Sequence, residues 1–329
     1  IGVPDWDMFQ TSMGPISWQH GAARAISGGP VYVSDRPNSH DPALLRKLVL
    51  ENGAVPRCSA AALPTARSMF IDPQSTAHPL TVWNTNHVPG TGVVGLFHVA
   101  GASWSQRSLK YKRHPTVKDS GGSFYAATAS EPVEGSVCPA DIPSLEAYSD
   151  GPFALYFHNH RRLHRQYHKE DINLKLGTQE FEIVTIAAIS SIHRTTFEGH
   201  RVPAIEWAPI GLLDMFNSGG CLKSQQASSA TNKHGGQPAF WRGEVVGSGR
   251  FLALCSQKPS SVFVVSSPVE QSATSSDLLS LAKSSQSEAS WSFSQGAESS
   301  CSTLEVEIEG PFEGKPANVV VIWDDPEKL

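Results

Sequence analysis

The chain has 329 residues, of which 40 % are hydrophobic and 17 % are charged, enough apolar material for one large domain or two ordinary ones. Its formal net charge of -5 and isoelectric point near 6.2 argue against a nucleic-acid partner. No run approaches the roughly 18 consecutive apolar residues that a membrane-spanning helix needs, so we predict no membrane segment.

Cysteine usage gives an indication of the redox environment. The five cysteines are scattered and form no C-x-x-C pair: Cys58, Cys138, Cys221, Cys255 and Cys301. Such usage is typical of reduced thiols, so we expect a cytoplasmic protein. The chain starts at Ile1, directly on a loop, and we therefore expect it to be the carboxyl-terminal part of a longer protein. The sequence does not indicate the oligomeric state.

Residues 1–60 have the character of strand–helix repeats in a parallel barrel or sheet. Residues 18–26 have helix-compatible composition and end at Gly28-Gly29-Pro30, which predicts a tight turn. Residues 31–33 are β-branched and aromatic, which favours a short buried strand. Asp41-Pro42 predicts the cap and first turn of a second helix over residues 43–50.

From residue 61 onward the sequence predicts an antiparallel β-sandwich, because short apolar segments alternate with turn residues. The predicted strands are Leu80–Asn84, Gly92–Val99, Phe153–Phe157, Glu180–Ile189, Phe251–Leu254, Ser261–Val265, Leu304–Ile308 and Val319–Trp323. Residues 212–216 indicate a short helix or turn. Residues 112–147 lack periodicity and are predicted loops, and the serine-rich stretch 271–303 is a predicted mobile insertion.

Two acids near the start of the chain are candidates for chemistry on a sugar. Asp5 and Asp7 lie two positions apart, so in an extended segment their carboxylates face the same side. A retaining glycosidase needs two carboxyl groups roughly 5–5.5 Å apart on opposite sides of the glycosidic bond. Neighbours on one segment meet that geometry poorly, and the alternative is that one of them, Asp5 in particular, caps the loop. Asp35 is similarly either a pocket residue or a cap.

The stretch from Pro4 to Asp35 resembles one family closely. Pro4 to Phe9 is P-D-W-D-M-F, and His20 to Asp35 matches H-x-A-A/S-R-A-I/V-S-G-G-P-V/I-Y-V-S-D. Both runs resemble raffinose synthases and seed imbibition proteins, α-galactoside enzymes of glycoside hydrolase family 36. The likeness extends over residues 1–100 and 205–222. It implies the carboxyl-terminal end of a (β/α)8 TIM barrel in residues 1–60, followed by an antiparallel β-sandwich in residues 61–329.

The resemblance also implies substrates and site residues. Related α-galactosidases of family 27 carry N-D-P-D-M-L, whose second Asp and Met line the galactose pocket. By this likeness Asp7 and Met8 are substrate-binding residues here, and Asp5 and Trp6 are further candidates. The implied enzyme is a retaining α-galactosidase or a raffinose synthase-type galactosyltransferase. It acts on galactinol and raffinose-family oligosaccharides and needs no cofactor.

The catalytic residues implied by the resemblance are missing from this sequence. The family nucleophile lies in a Lys-x-Asp run at a barrel strand end, and the acid/base lies in a Ser-Asp-Asp-Phe-like run. Neither run occurs here in the right context. We therefore expect no catalytic residue in the chain and no activity from it alone. The competing interpretation is a non-catalytic carbohydrate-binding or supportive β-sandwich module.

Three further features are assigned ordinary structural roles. Four histidines have metal-like spacing but are interleaved with arginines, so we predict a solvated strand edge and turn and no metal site: His158, His160, His164 and His168. Trp83, Trp104 and Trp241 suit either sugar stacking or core packing. Finally, an incomplete barrel leaves an apolar face uncovered, so we expect residues 1–60 to pack only partially and to expose Ala22, Ile26, Val31 and Val33.

Overall fold

A computed structural model describes residues 5–6, 8–74, 76–100, 102–105, 107, 109–113, 131–195, 201–228, 238–266, 277, 280, 289–296, 301–309 and 316–323. Two α-helices lie in these ranges, α1 (Pro15–Ile26) and α2 (Pro42–Leu45). The strands are β1 (Leu63–Pro64), β2 (Leu80–Thr85), β3 (Thr91–Phe97), β4 (Ala102–Ser105), β5 (Lys110–Arg113), β6 (Val133–Val137), β7 (Phe153–Phe157), β8 (Arg162–Gln166), β9 (Ile172–Leu176), β10 (Phe181–Ala188), β11 (Ser190–Thr195), β12 (Arg201–Leu212), β13 (Leu222–Ser228), β14 (Ala239–Val245), β15 (Gly249–Cys255), β16 (Ser261–Val265), β17 (Trp291–Ser294), β18 (Thr303–Ile308) and β19 (Ala317–Trp323).

The strands form three sheets and two ribbons, and every pairing among the described residues is antiparallel. A six-stranded sheet has the order β1-β2-β3-β10-β7-β8, a five-stranded sheet has β11-β12-β15-β18-β17, and a four-stranded sheet has β13-β14-β19-β16. The pairs β4–β5 and β6–β9 form the ribbons. The prediction of antiparallel β-structure from residue 61 onward is confirmed.

The five- and four-stranded sheets pack face to face as a sandwich around one apolar core. At its centre the Trp207 ring lies 4.8 Å from the Trp241 ring and 5.4 Å from the Trp323 ring, measured between centroids. Alternate residues of β19 point into this core, as the two-residue period of a strand requires. Trp241 is therefore a core residue. Trp83 is half-buried, and the Trp104 side chain lies outside the described residues.

One face of the six-stranded sheet carries α1. Ala22 and Ile26 are fully buried there, in one cluster with Val93 and Ile183. The prediction that Ala22 and Ile26 are exposed was therefore wrong, because the sheet covers the helix face that a barrel would otherwise cover. Val31 and Val33 are half-buried against the same cluster.

The opposite face of this sheet is covered by the β6–β9 ribbon and two short 3-10 helices, Pro139–Asp141 and Pro143–Tyr148. The prediction that residues 112–147 are all loop was wrong for these segments. Polar residues on the outer side of the ribbon, such as Glu134, which pairs with Lys175, interrupt the apolar pattern by which a strand is recognised in a sequence. The six-stranded sheet also packs on the five-stranded sheet through the small residues Ala154 and Ala187.

Several other sequence predictions are changed by tertiary contacts. The second helix, predicted over residues 43–50, ends at Leu45, and residues 46–48 continue as turns. The carbonyl of Lys47 accepts a hydrogen bond from Phe216 N–H at 3.2 Å. Residues 31–33 form no strand, and no strand occurs in residues 8–60, so a barrel end is not seen. In the serine-rich stretch, β17 pairs with β18, which corrects the loop prediction for 291–294. Most of residues 271–290 lie outside the described ranges.

The two halves of the chain meet at Gly21 on α1. A Cβ built there would lie 2.9 Å from Leu44 Cδ1, 3.4 Å from Phe9 Cζ and 3.5 Å from Phe216 Cε2. Phe216 follows β12, and its ring also packs edge-on against the Trp18 ring at 6.1 Å. The absence of a side chain at position 21 thus allows four separate segments to approach one another.

Candidate functional site

The candidate site is the loop of residues 5–12, directly before α1. Met8 is 68 % exposed, although methionine is usually buried, whereas the next residue, Phe9, is fully buried and anchors the loop in the core. Asp5 is exposed and Trp6 is half-buried. Asp7 lies outside the described residues, so the predicted shared face of Asp5 and Asp7 stays a prediction.

The segment of residues 31–35 holds the loop from one side. The hydroxyl of Tyr32 donates to the Asp5 carboxylate, with distances of 2.7 Å to Oδ1 and 2.6 Å to Oδ2. The backbone N–H of Ser34 donates to the carbonyl oxygen of Phe9 at 2.8 Å. The Asp5 carboxylate is thus held by a phenol from another segment, a partner that the sequence analysis did not consider.

Asp35 caps the far end of the loop, 23 and 24 residues before it in the chain, whereas its predicted capping role concerned the turn that follows it. Its carboxylate accepts hydrogen bonds from Thr11 N at 2.8 Å, Thr11 Oγ1 at 3.0 Å and Ser12 N at 2.9 Å. Partial burial raises the pKa of this carboxyl, but the hydrogen bonds from Ser12 and Thr11 outweigh it and lower the pKa to about 2. Asp35 is therefore ionised at neutral pH and fixes the turn that leads into α1.

Arg24 of α1 holds the loop from the other side. Its Nη2 donates to the carbonyl oxygens of Trp6 at 2.6 Å and Met8 at 3.0 Å, and its Nη1 donates to that of His20 at 3.1 Å. The guanidinium carbon lies 4.9 Å from the centre of the Phe9 ring. The sequence analysis missed this role. The signal was an arginine one helical turn from Gly21 and beside Ala25, on a face otherwise made of small and apolar residues.

The return from α1 to residues 31–35 depends on Gly28, as the Gly28-Gly29-Pro30 pattern predicted. Gly28 has φ 72°, and a Cβ there would lie 1.8 Å from the carbonyl oxygen of Ala60. The buried amide of Asn84 completes the junction, since its Nδ2 donates to Ile26 O at 2.8 Å and Ala60 O at 2.7 Å. This turn therefore sets where Tyr32 and Asp35 meet the loop.

The four spaced histidines do not lie together at a solvated edge. His160 is exposed in the turn after β7, and its Nδ1 lies 2.5 Å from the fully buried carboxylate of Glu182. His158 and His168 are buried, so the predicted solvated edge was wrong for both. Burial, together with the charges of Lys47 and Arg161, lowers the pKa of His158 to about 4.

The described residues also show how the titratable side chains, the helices and the cysteines are distributed. No three histidine, cysteine, aspartate or glutamate side chains there are grouped to hold a metal ion. No helix in the described ranges is long and apolar enough to cross a membrane. All five cysteines are free thiols, four buried and Cys301 half-buried. Burial raises the pKa of Cys58, Cys221 and Cys255 to about 12.

One known protein family matches the part of the chain that contains the loop of residues 5–12 and most of the strands. The family described as raffinose synthase or seed imbibition protein Sip1 matches residues 2–282. Because that match covers far more than half of the chain, this chain belongs to the raffinose synthase and seed imbibition protein family.

Individual relatives are plant proteins of much greater length. A probable galactinol–sucrose galactosyltransferase 5 of Arabidopsis thaliana is 34 % identical over 270 residues, covering 81 % of this chain and 31 % of the relative. A galactinol–sucrose galactosyltransferase of Oryza sativa subsp. japonica is 34 % identical over 258 residues, covering 78 % and 30 %. Stachyose synthase of Pisum sativum is 30 % identical over 264 residues, covering 78 % and 27 %. The chain thus spans about a third of the length of these relatives.

Proposed function

We propose that the chain is the carboxyl-terminal part of an α-galactoside-active enzyme, either a retaining α-galactosidase or a raffinose synthase-type galactosyltransferase. Family membership supports this proposal. The names of the relatives support it too, since they describe galactinol–sucrose galactosyltransferases and a stachyose synthase. The donors and acceptors are then galactinol, sucrose and raffinose-family oligosaccharides, and the enzyme works in the cytoplasm.

In this proposal residues 1–60 complete the end of a (β/α)8 barrel whose other strands lie in the longer protein. The loop of residues 5–12 then stands at a strand end, where barrel enzymes bind substrate. Asp7 and Met8 line the galactose pocket, with Asp5 and Trp6 beside them. The observation that carries the proposal is the large, exposed side chain of Met8 on a loop fixed from both sides, by Arg24 and by residues 31–35.

The catalytic carboxylates are proposed to lie in the rest of the longer protein. The nucleophile attacks the anomeric carbon and expels the aglycone, which takes its proton from the acid/base. Water or a sugar hydroxyl then gives its proton to the acid/base residue and attacks the anomeric carbon, which breaks the bond to the nucleophile and gives overall retention. The residues of this chain supply pocket contacts and support, so the chain alone releases no galactose.

The test uses the full-length enzyme with p-nitrophenyl α-galactoside, and with galactinol plus sucrose. Wild type is compared with Asp7→Asn and with Asp41→Asn, a matched acid-to-amide control at the cap of α2. The proposal predicts that galactose release or transfer falls sharply in Asp7→Asn and is kept in Asp41→Asn. Equal activity of all three proteins would remove Asp7 from the pocket.

A second candidate is a non-catalytic carbohydrate-binding or supportive module. It is favoured by the size of the closed β-cores, since most buried apolar residues belong to the sheets and not to the loop. Sugar binding by the full-length protein without turnover of either substrate would establish this alternative. Binding by residues 61–329 without the loop would support it further.

A further inference from the structure

Arg24 is a permanently charged residue on the buried face of α1. Its exposed fraction is 7 %, and its helix neighbours Ala25 and Ile26 belong to the apolar core. Removing a guanidinium from water is unfavourable unless hydrogen bonds replace those to solvent. The partners of Arg24 therefore show what its burial achieves.

Three of the acceptors of Arg24 are main-chain carbonyl oxygens of described residues. One nitrogen, Nη2, bridges the carbonyls of Trp6 and Met8, which lie two residues apart in the loop. The other, Nη1, is tied to the carbonyl of His20 in the preceding turn of α1. The guanidinium thus connects the helix to both sides of residue 7. Because the acceptors are backbone atoms, the connection does not depend on the side chains at positions 6 and 8.

Arginine suits this arrangement better than lysine. A guanidinium is planar and offers donors in a fixed fork, so one side chain can fix two peptide groups at a set angle. The ring of Phe9 lies 4.9 Å from the cationic carbon and packs against it. A lysine ammonium keeps the charge but has a single nitrogen on a flexible stem, so it holds the curvature of the loop less firmly.

We propose that Arg24 is a positioning residue for galactoside recognition. It fixes the carbonyl groups of Trp6 and Met8 so that the exposed Met8 side chain is presented to the galactosyl group, and it does not touch the sugar itself. This inference rests on the function proposed above. When the pocket wall is already ordered before the substrate binds, less binding energy is needed to order it. More of that energy is then available to stabilise the transition state.

The opposite side of the loop shows why Arg24 matters most. Tyr32 and Asp5 are both exposed, so water competes for their hydrogen bond. The Arg24 bonds are partly buried, so water competes for them less than for the exposed pair of Tyr32 and Asp5. Burial and the nearby Arg24 charge also lower the pKa of His20, the residue whose carbonyl Arg24 holds. The imidazole thus stays neutral beside the guanidinium at neutral pH.

The first experiment compares Arg24→Ala and Arg24→Lys in the full-length enzyme with Arg46→Ala, an exposed arginine of the α2 end. The substrates are p-nitrophenyl α-galactoside and p-nitrophenyl β-L-arabinopyranoside, which lacks the hydroxymethyl group. We expect kcat/KM for the galactoside to fall about 100-fold in Arg24→Ala. The kcat/KM for the galactoside divided by that for the arabinopyranoside should fall at least about tenfold. A reduced folded fraction leaves this ratio unchanged.

The second readout is chemical rescue of Arg24→Ala. Millimolar guanidinium should restore part of the galactoside activity, whereas the same concentration of urea, which is uncharged and similar in shape, should not. The proposal is wrong if Arg24→Ala and Arg24→Lys keep both kcat/KM and the substrate ratio within twofold of Arg46→Ala.

Amide hydrogen exchange separates this proposal from the proposed function. In Arg24→Lys, the amides of residues 8–10 should exchange faster while those of the core strand β10 keep their protection. Unchanged exchange at residues 8–10 would overturn the positioning role, and this holds for Arg24→Lys even where Arg24→Ala does not fold. Absence of turnover by wild type would instead refute the proposed function.

Discussion

Replacing Gly28 with alanine should destabilise the junction between α1 and residues 31–35. Gly28 has φ 72°, a conformation that costs an L-residue about 1–2 kcal/mol. The new Cβ would lie 1.8 Å from the Ala60 carbonyl oxygen and 2.8 Å from its carbon, both inside the closest approach that Cβ atoms show. The backbone at Ala60 must therefore move.

The movement of Ala60 has a second cost. Its carbonyl accepts a hydrogen bond from the fully buried Asn84 amide at 2.7 Å, and breaking that bond loses about 1 kcal/mol or more. Together with the backbone strain, Gly28→Ala should lower the free energy of unfolding by roughly 3 kcal/mol.

Gly53 provides the matched control. It has φ 80°, but a Cβ there meets no atom within 4 Å, so Gly53→Ala carries the backbone strain alone, about 1–2 kcal/mol. Urea denaturation of both variants, followed by tryptophan fluorescence, measures the difference in the free energy of unfolding. Equal losses in the two variants would refute the steric argument at Gly28.

Three further predictions concern ionisable groups. The folded pKa of Asp35, about 2, lies below its ordinary value of 3.8, so its stabilisation is present above pH 4 and lost as pH falls toward 2. The gap in unfolding free energy between wild type and Asp35→Asn, measured in urea, should shrink over that interval; a constant gap contradicts this. The folded pKa of His158, about 4, lies below its ordinary value of 6.5, so the free energy of unfolding should decrease as pH falls from 6.5 to 4. His158→Gln should flatten that slope if the histidine is responsible. With Ellman's reagent at pH 8, Cys301 should react first, being the only half-buried cysteine among five, and Cys301→Ser should remove the fast phase; its persistence would assign that phase elsewhere.

The buried strands were predictable because their patterns are local. Residues 153–157 and 261–265 form strands with the predicted bounds, since both are short apolar runs between turn residues. The strand β12 was missed because it contains Pro209 and Gly211, which normally argue against a strand. The structure places a register shift between those two residues, so the strand continues past them as an irregularity.

The loop at residues 5–12 was located by family resemblance, but its supports were only partly predictable. The tendency of aspartate to accept backbone hydrogen bonds predicts a capping role for Asp35, but not that its donors are Thr11 and Ser12, 23 and 24 residues away. Arg24 and Tyr32 were not predicted because both act on residues about 18 and 27 positions away. Residues 31–33 have strand propensity, but propensity yields a strand only where a neighbouring strand offers a ladder. Directly after this segment, the backbone N–H of Ser34 donates to the carbonyl oxygen of Phe9, and among the described residues no strand pairs with residues 31–33.

The close approach at Gly21 has a consequence for how this family diverges. Because a Cβ at position 21 would lie 2.9 Å from Leu44 Cδ1, a larger residue there requires the Leu44 side chain to shift or to be replaced by a smaller one. We therefore expect positions 21 and 44 to covary among homologues. Sequence change in α1, which contacts the loop of residues 5–12 through Arg24, is then coupled to sequence change in α2.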